Sequence, residues 1–249
     1  MSRIGIIGGS GLDDPKFLNN AEEVEMETRY GSPSSSLTVG DIGGVNVVLL
    51  ARHGRRHTIP PSQVNYRANM CALKEFGCIH VLATTAVGSL REEIRRGDLV
   101  ILDQFIDFTR SRATTFHASF EPGKAMHTAM AEPFSEDIRS AFIEAARELG
   151  LSHHPRGTVI TIEGPRFSTR AESRMYRIWG ADVVNMSIAP EAALANELGM
   201  PYGAVAMSTD YDCWKEDEEP VTWDMILKIF SENVQKVTDL LLKAIPKLA

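Results

Sequence analysis

Two rhythms of hydrophobic and polar positions alternate along the chain. Short apolar runs rich in β-branched residues, at 3–8, 45–52, 80–85, 99–103, 157–162, 182–186 and 202–208, predict strands. Segments 65–76, 135–149 and 190–198 instead repeat their apolar residues every three to four positions, and each ends at a glycine, Gly77, Gly150 or Gly199, where a helix stop is expected. A last helix over 222–245 sets Trp223, Ile226, Leu227, Phe230, Val234, Val237 and Leu241 at helical spacing, with Glu232, Lys236, Asp239 and Lys243 available for the opposite face. The alternation predicts a mostly parallel, buried sheet. Residues 109–130 follow neither rhythm and read as a long loop, a length that in compact domains is often functional or shared with a neighbour.

Composition narrows this picture. With 249 residues, 43% of them hydrophobic, the chain can bury a sizeable core, and the short 32–36 Ser/Pro cluster is no linker, so one domain spanning 1–249 is expected. A formal charge of −7 argues against general nucleic-acid binding but leaves room for a local cationic pocket. Cys71, Cys78 and Cys213 are odd in number and lack zinc-type spacing, which predicts neither a disulfide framework nor a metal site. The amino terminus runs directly into Ile4-Gly5-Ile6-Ile7-Gly8, and no apolar stretch reaches about 18 residues. The expectation is a cytoplasmic protein with no membrane and no nucleic-acid partner.

Chemistry concentrates at the ends of the predicted strands. Thr209-Asp210-Tyr211-Asp212 sets two carboxylates one residue apart after a buried run. Repulsion in a partly desolvated pocket lets one acid keep a proton and donate while the other accepts, which suits the N7/N6 edge of adenine; a plain polar turn is the alternative. Gly5 to Gly11 forms a strand entering a glycine-rich turn, either structural or an anion loop to which Ser10 adds a hydroxyl. Neither the dinucleotide nor the Walker glycine spacing is present. Arg52, His53, Arg55, Arg56 and His57 cluster after the second strand, as a solvated turn or as the cationic pocket, with the arginine fork and a histidine donor meeting phosphate. Thr84-Thr85-Ala86-Val87-Gly88-Ser89 reads as a third strand-to-glycine turn with hydroxyls, and three such turns can converge on one anion. Phe167, after Gly164-Pro165, can stack on a planar base or fill the core; Met186, between Asn185 and Ser187, can underlie a sugar or fill a gap.

Taken in order, Gly5-Ile6-Ile7-Gly8-Gly9-Ser10-Gly11-Leu12, Ala51-Arg52-His53-Gly54-Arg55, Val64-Asn65-Tyr66, Thr84 to Leu90, Glu163-Gly164-Pro165-Arg166-Phe167-Ser168 and Thr209 to Trp214 resemble the trimeric purine nucleoside phosphorylases, and within them the members acting on 5′-methylthioadenosine. The resemblance spans nearly the whole chain. It implies an α/β fold, a single domain with a central mixed, largely parallel twisted sheet flanked by helices. It implies no cofactor, with inorganic phosphate as co-substrate, and a homotrimer with sites at subunit interfaces. Residue by residue, Ser10, Arg52, His53, Thr85, Ala86 and Ser187 would bind phosphate, with the Ala86 N–H helping. Phe167, Ser168 and Asn185 would surround the base, with Asp210 and Asp212 as the catalytic pair; Met186 would lie against the ribose. His127 would reach a neighbouring subunit's substrate, while Trp223, Ile226 and Leu227 would form an apolar pocket for the 5′-alkylthio group. Relatives acting on 6-oxopurines carry asparagine at the Asp210 position and glutamate at the Ser168 position, so both residues here imply a 6-aminopurine. Broader purine specificity and hydrolysis by water are the alternatives.

Overall fold

The computed structural model describes residues 3–9, 15–217 and 222–249. These contribute one mixed sheet of eleven strands: β1 (Arg3–Gly8), β2 (Asn19–Val24), β3 (Leu37–Ile42), β4 (Val45–Ala51), β5 (Cys78–Ser89), β6 (Leu99–Ile101), β7 (Gln104–Phe108), β8 (His153–His154), β9 (Thr158–Ile162), β10 (Val183–Asn185) and β11 (Tyr202–Asp210). The helices are α1 (Tyr66–Glu75), α2 (Glu136–Glu148), α3 (Arg170–Ile178), α4 (Ile188–Glu197) and α5 (Trp223–Ala244). Strand order runs β2-β3-β4-β1-β5-β10-β9-β7, while β11 pairs with the other edge of β5 and carries β6, which pairs with β8.

Burial explains the order. β1 and β11 are buried almost end to end because they lie inside the sheet with helices on both faces, whereas β2, an edge strand of sequence NNAEEV, is largely exposed. One core cluster packs α1 and α4 onto one face through Met70, Leu73, Ile188 and Leu194. On the opposite face Ile138, Phe142, Leu240 and Leu241 seat α2 and α5. A smaller cluster of Leu90, Ile160, Tyr176 and Val184 seats α3. No helix among the described residues is long and apolar enough to cross a membrane.

All seven expected strands and four expected helices form. β2, β3, β7, β8 and α3 were not legible from periodicity, since β2 is polar and α3 begins RAESR. Two predicted turns are corrected. Thr85–Ser89 does not turn but continues β5, and Thr209–Asp210 continues β11, because the two strands stay paired as far as Gly88 and Asp210.

The middle of β5 makes the site possible. β1 runs parallel to β5 and its pairing stops at Ala83, whereas β10 arrives from the other end, antiparallel, with its last pairing at Gly88. Between those points this edge of β5 has no strand beside it among the described residues. The carboxyl ends of two opposed strands thus face each other across a gap, a switch point of the kind where open sheets bind ligands.

Candidate active site

A cleft of about 740 Å³ of empty space, partly open to solvent, lies at this gap. Arg52, His53, Thr85, Ala86, Phe167, Ser168, Asn185, Met186, Ser187, Asp210, Asp212 and Ile226 all line it. Ser10 lies outside the described residues, as does the side chain of Trp223. Leu227 is 41% exposed and off the cleft, and His127 sits exposed in the irregular 109–130 segment, its ring 5.6 Å from Phe120.

At one end stands Arg52, directly after β4 and tied by its N–H to Gly8 O at 3.1 Å. Its guanidinium is 1% exposed. Nε and Nη2 grip the buried Glu191 of α4 as a fork, the latter at 2.9 Å, while Nη1 donates to Thr84 O at 2.8 Å. Tyr202 O–H donates to the same carboxylate at 2.8 Å. Burial alone would depress the arginine pKa; the Glu191 charge more than offsets this and raises it. Three of the five guanidinium donors are engaged, so two remain for a ligand.

His53 differs from its sequence expectation. Its pKa falls to about 3, through burial first and the Arg52 charge second, so the ring is neutral. Nδ1 lies 2.9 Å from Ile59 O, and because a carbonyl only accepts, Nδ1 must carry the proton. Nε2 is then an acceptor rather than the expected donor. Arg55 turns away to Glu23 and Thr38, and the His57 ring lies 4.4 Å from that of His53. Of these five potentially cationic residues Arg52, His53 and His57 line the cleft, and the fixed charge of Arg52 is already balanced by Glu191.

Thr84 O points toward Arg52, off the β1 edge of β5. Backbone groups alternate edges along a strand, so the N–H of Ala86, two residues on, faces the unpaired gap. Across the gap a relay fixes the end of β10: Thr161 O–H donates to Asn185 Oδ1 at 2.8 Å, and Asn185 Nδ2 donates to Thr85 Oγ1 at 3.2 Å.

The two acids occupy the other end. Asp210 Oδ1 accepts from the Asp212 N–H and Oδ2 from the Thr209 hydroxyl, both at 2.8 Å. Burial, with the Asp212 charge adding to it, outweighs these bonds and lifts Asp210 to about 6. Burial also raises Asp212, against the nearby hydroxyls of Ser173 and Ser168. Asp212 Oδ2 and Ser168 Oγ are nevertheless buried without a hydrogen-bond partner. Two orphaned polar atoms in a cleft wall call for ligand atoms. Gly88 lets the acids come this close, since a Cβ there would sit 3.0 Å from Asp210 Oδ1 and 3.1 Å from Val184. Phe167, 39% exposed, presents an aromatic side chain at the same end.

The phosphorylase superfamily profile matches residues 3–246. The chain belongs to the phosphorylase superfamily. It is 55% identical to the S-methyl-5′-thioadenosine phosphorylase of Danio rerio over 248 residues, covering 99% of this chain and 89% of the relative. The enzyme of that name from Hyperthermus butylicus is 51% identical over 246 residues, 98% of this chain and 88% of the relative. Among solved structures, methylthioadenosine phosphorylase from Schistosoma mansoni in complex with adenine superposes with a TM-score of 0.94 at 44% identity, covering 100% of this chain and 92% of that one.

In this phosphorylase, motif reading missed Glu191 and Tyr202, which together with Thr84 O hold Arg52 in place, and the lining residue Pro61. Glu191 left one signal: an acid flanked on both sides by apolar residues in the first two turns of its helix, IAPEAALA.

Proposed function

We propose that this phosphorylase cleaves the N-glycosidic bond of 5′-methylthioadenosine with inorganic phosphate, releasing adenine and 5-methylthioribose 1-phosphate. The observation that carries the reading is the raised Asp210 carboxyl beside the orphaned Asp212 and Ser168 oxygens, in a chain 55% identical to an S-methyl-5′-thioadenosine phosphorylase. As the bond to N9 breaks, negative charge flows into the base and N7 gains basicity. Protonated Asp210 donates there, an interaction stronger in the transition state than in the ground state, and Asp212 orients the acid and receives the amino group.

Phosphate occupies the other end. The two spare N–H groups of Arg52, the Ala86 N–H and the hydroxyls of Thr85, Ser187 and Ser10 hold it beneath the sugar, where its charge favours the oxocarbenium-like sugar. Neutral His53 accepts from the P–OH group through Nε2. Asn185 and Met186 lie between the two ends, where the ribose bridges them, and Phe167 stacks on the base. Ile226, with Trp223 and Leu227 on the same helix, covers the apolar 5′ substituent. We place the enzyme in the cytoplasm as a homotrimer in which His127 meets a neighbouring subunit's substrate; its position off the cleft of a single chain fits this reading.

Supplying methylthioadenosine and inosine, each with and without phosphate, and following free base tests the assignment. Adenine released from methylthioadenosine only with phosphate is the expected result. Equal release without phosphate would make the enzyme a hydrolase, and faster release from inosine would overturn the base assignment.

A further inference from the structure

Arg112 lies outside the cleft lining, yet it is tied to three of the segments that build the cleft. Its side chain is 1% exposed although it opens the irregular 109–130 segment, most of which is not buried. Nη2 donates to Ile162 O at 3.2 Å and to Glu163 O; Nη1 donates to Met186 O and, at 2.8 Å, to the Tyr66 hydroxyl. Nε faces Glu163 Oε1 at 3.5 Å. The other carboxylate oxygen of Glu163 accepts from the N–H groups of Arg110 and Ser111, at 2.6 and 3.2 Å. The Tyr66 hydroxyl extends the cluster, 3.1 Å from Pro61 O and 3.4 Å from Met186 O.

These acceptors have a common origin. β9 ends at Ile162 and β10 at Asn185, so the carbonyls of Ile162, Glu163 and Met186 sit where the ladder between those strands runs out. Buried and unpaired, each would destabilise the fold. One planar guanidinium, with five donors in a fixed fork, serves all three; the three rotating donors of an ammonium on a flexible stem do not reproduce that geometry. The turn after Glu163 leads to Phe167 and Ser168, while Met186 lies between Asn185 and Ser187. The same two segments also interlock by packing. Gly164 has φ +63°, and a Cβ there would sit 2.4 Å from Met186 Sδ.

We infer that Arg112 is a positioning residue that joins the base wall, Phe167–Ser168, to the ribose floor at Met186, so that the two present one rigid surface to the nucleoside. The main phosphate contacts hang from other anchors: Glu191 and Thr84 for Arg52, and Ile59 for His53. Loss of the Arg112 fork therefore loosens nucleoside binding and leaves phosphate binding in place. A residue that merely stabilised the fold would not separate the two substrates.

The inference rests on reading the cleft as a nucleoside and phosphate site, and phosphate-dependent release of adenine by the wild-type enzyme checks that reading independently. The test is steady-state kinetics of Arg112→Lys with each substrate varied in turn, alongside calorimetric binding of adenine and thermal unfolding. The expected result is a nucleoside KM raised about ten- to a hundredfold, weakened adenine binding, and a phosphate KM within about twofold of wild type. Tyr66→Phe, which keeps the ring and removes one partner of the fork, should show the same split with smaller amplitude and serves if Arg112→Lys does not fold. Equal rises in both KM values, or no change in either, would overturn the assignment.

Discussion

The two ends of the cleft solve the problem of buried polarity in opposite ways. At the end proposed for phosphate the fixed charge is paired before any ligand arrives: Arg52 is gripped by Glu191 and Thr84, and Glu191 by Tyr202. At the base end Asp212 Oδ2 and Ser168 Oγ are buried and unpaired, and Asp210 titrates near 6. A phosphate ion has a simple, highly charged shape that a preformed pocket of fixed donors can meet. A purine edge must be told from other purine edges, and in the proposed site orphaned atoms would do so because a base that leaves them unpaired forfeits binding energy.

Three substitutions probe this contrast, in decreasing order of expected effect. Glu191→Gln leaves Arg52 buried with an uncompensated charge, so denaturant unfolding should show a loss of about 3–5 kcal/mol, and phosphate KM should rise more than nucleoside KM. A neutral result would mean that the phosphate end is less rigidly paired than its geometry implies. Asp210→Asn removes the proton donor, and kcat/KM on methylthioadenosine should fall roughly 10²- to 10⁴-fold, with relative preference moving toward hypoxanthine-type nucleosides. An unchanged ratio of rates on adenine and hypoxanthine substrates would break the specificity argument.

The same Asp210→Asn variant should be more stable than wild type above pH 6. Folding raises this carboxyl from its ordinary 3.8 to about 6, so the native chain binds the proton more tightly than the unfolded one. That preference favours the fold fully below about pH 4 and is lost as pH climbs past 6, a difference of about 3 kcal/mol, which the uncharged amide does not suffer. Unfolding curves at pH 4 and pH 8 measure it; the gap between variant and wild type should open only at the higher pH. The smallest effect is expected of Ser168→Ala. Deleting a buried hydroxyl that lies near Asp212 without a well-formed bond to it should leave unfolding within about 1 kcal/mol of wild type while nucleoside KM rises roughly two- to tenfold, because the ligand completes its bonding.

Much of this was legible from the chain. Runs such as RIGIIG and YGAVAMSTD are apolar throughout because both sheet faces are covered, and that is a local property of the sequence. The acids, the arginine and the hydroxyls at strand ends could be named for the same reason: strand ends recur as ligand sites in this architecture. What stayed hidden is polar and depends on distant partners. α3 is amphipathic but short and mostly polar, and its start carries a readable signal, the Thr169–Glu172 capping box. β2 is an exposed edge strand that owes its pairing to β3.

The sequence by itself determined which segments become strands and helices, which face of each is apolar, and which chemical groups stand at the strand ends. Only the tertiary structure decided their states. Glu191 lies 139 positions from Arg52 and Met186 lies 74 from Arg112, so no local pattern could announce either partnership. Nor could composition reveal that His53 is neutral or that Asp210 holds its proton to about pH 6. A pKa and a free lone pair are set by what surrounds a group once water has been removed, and that environment exists only after β1 and β10 have both paired with β5.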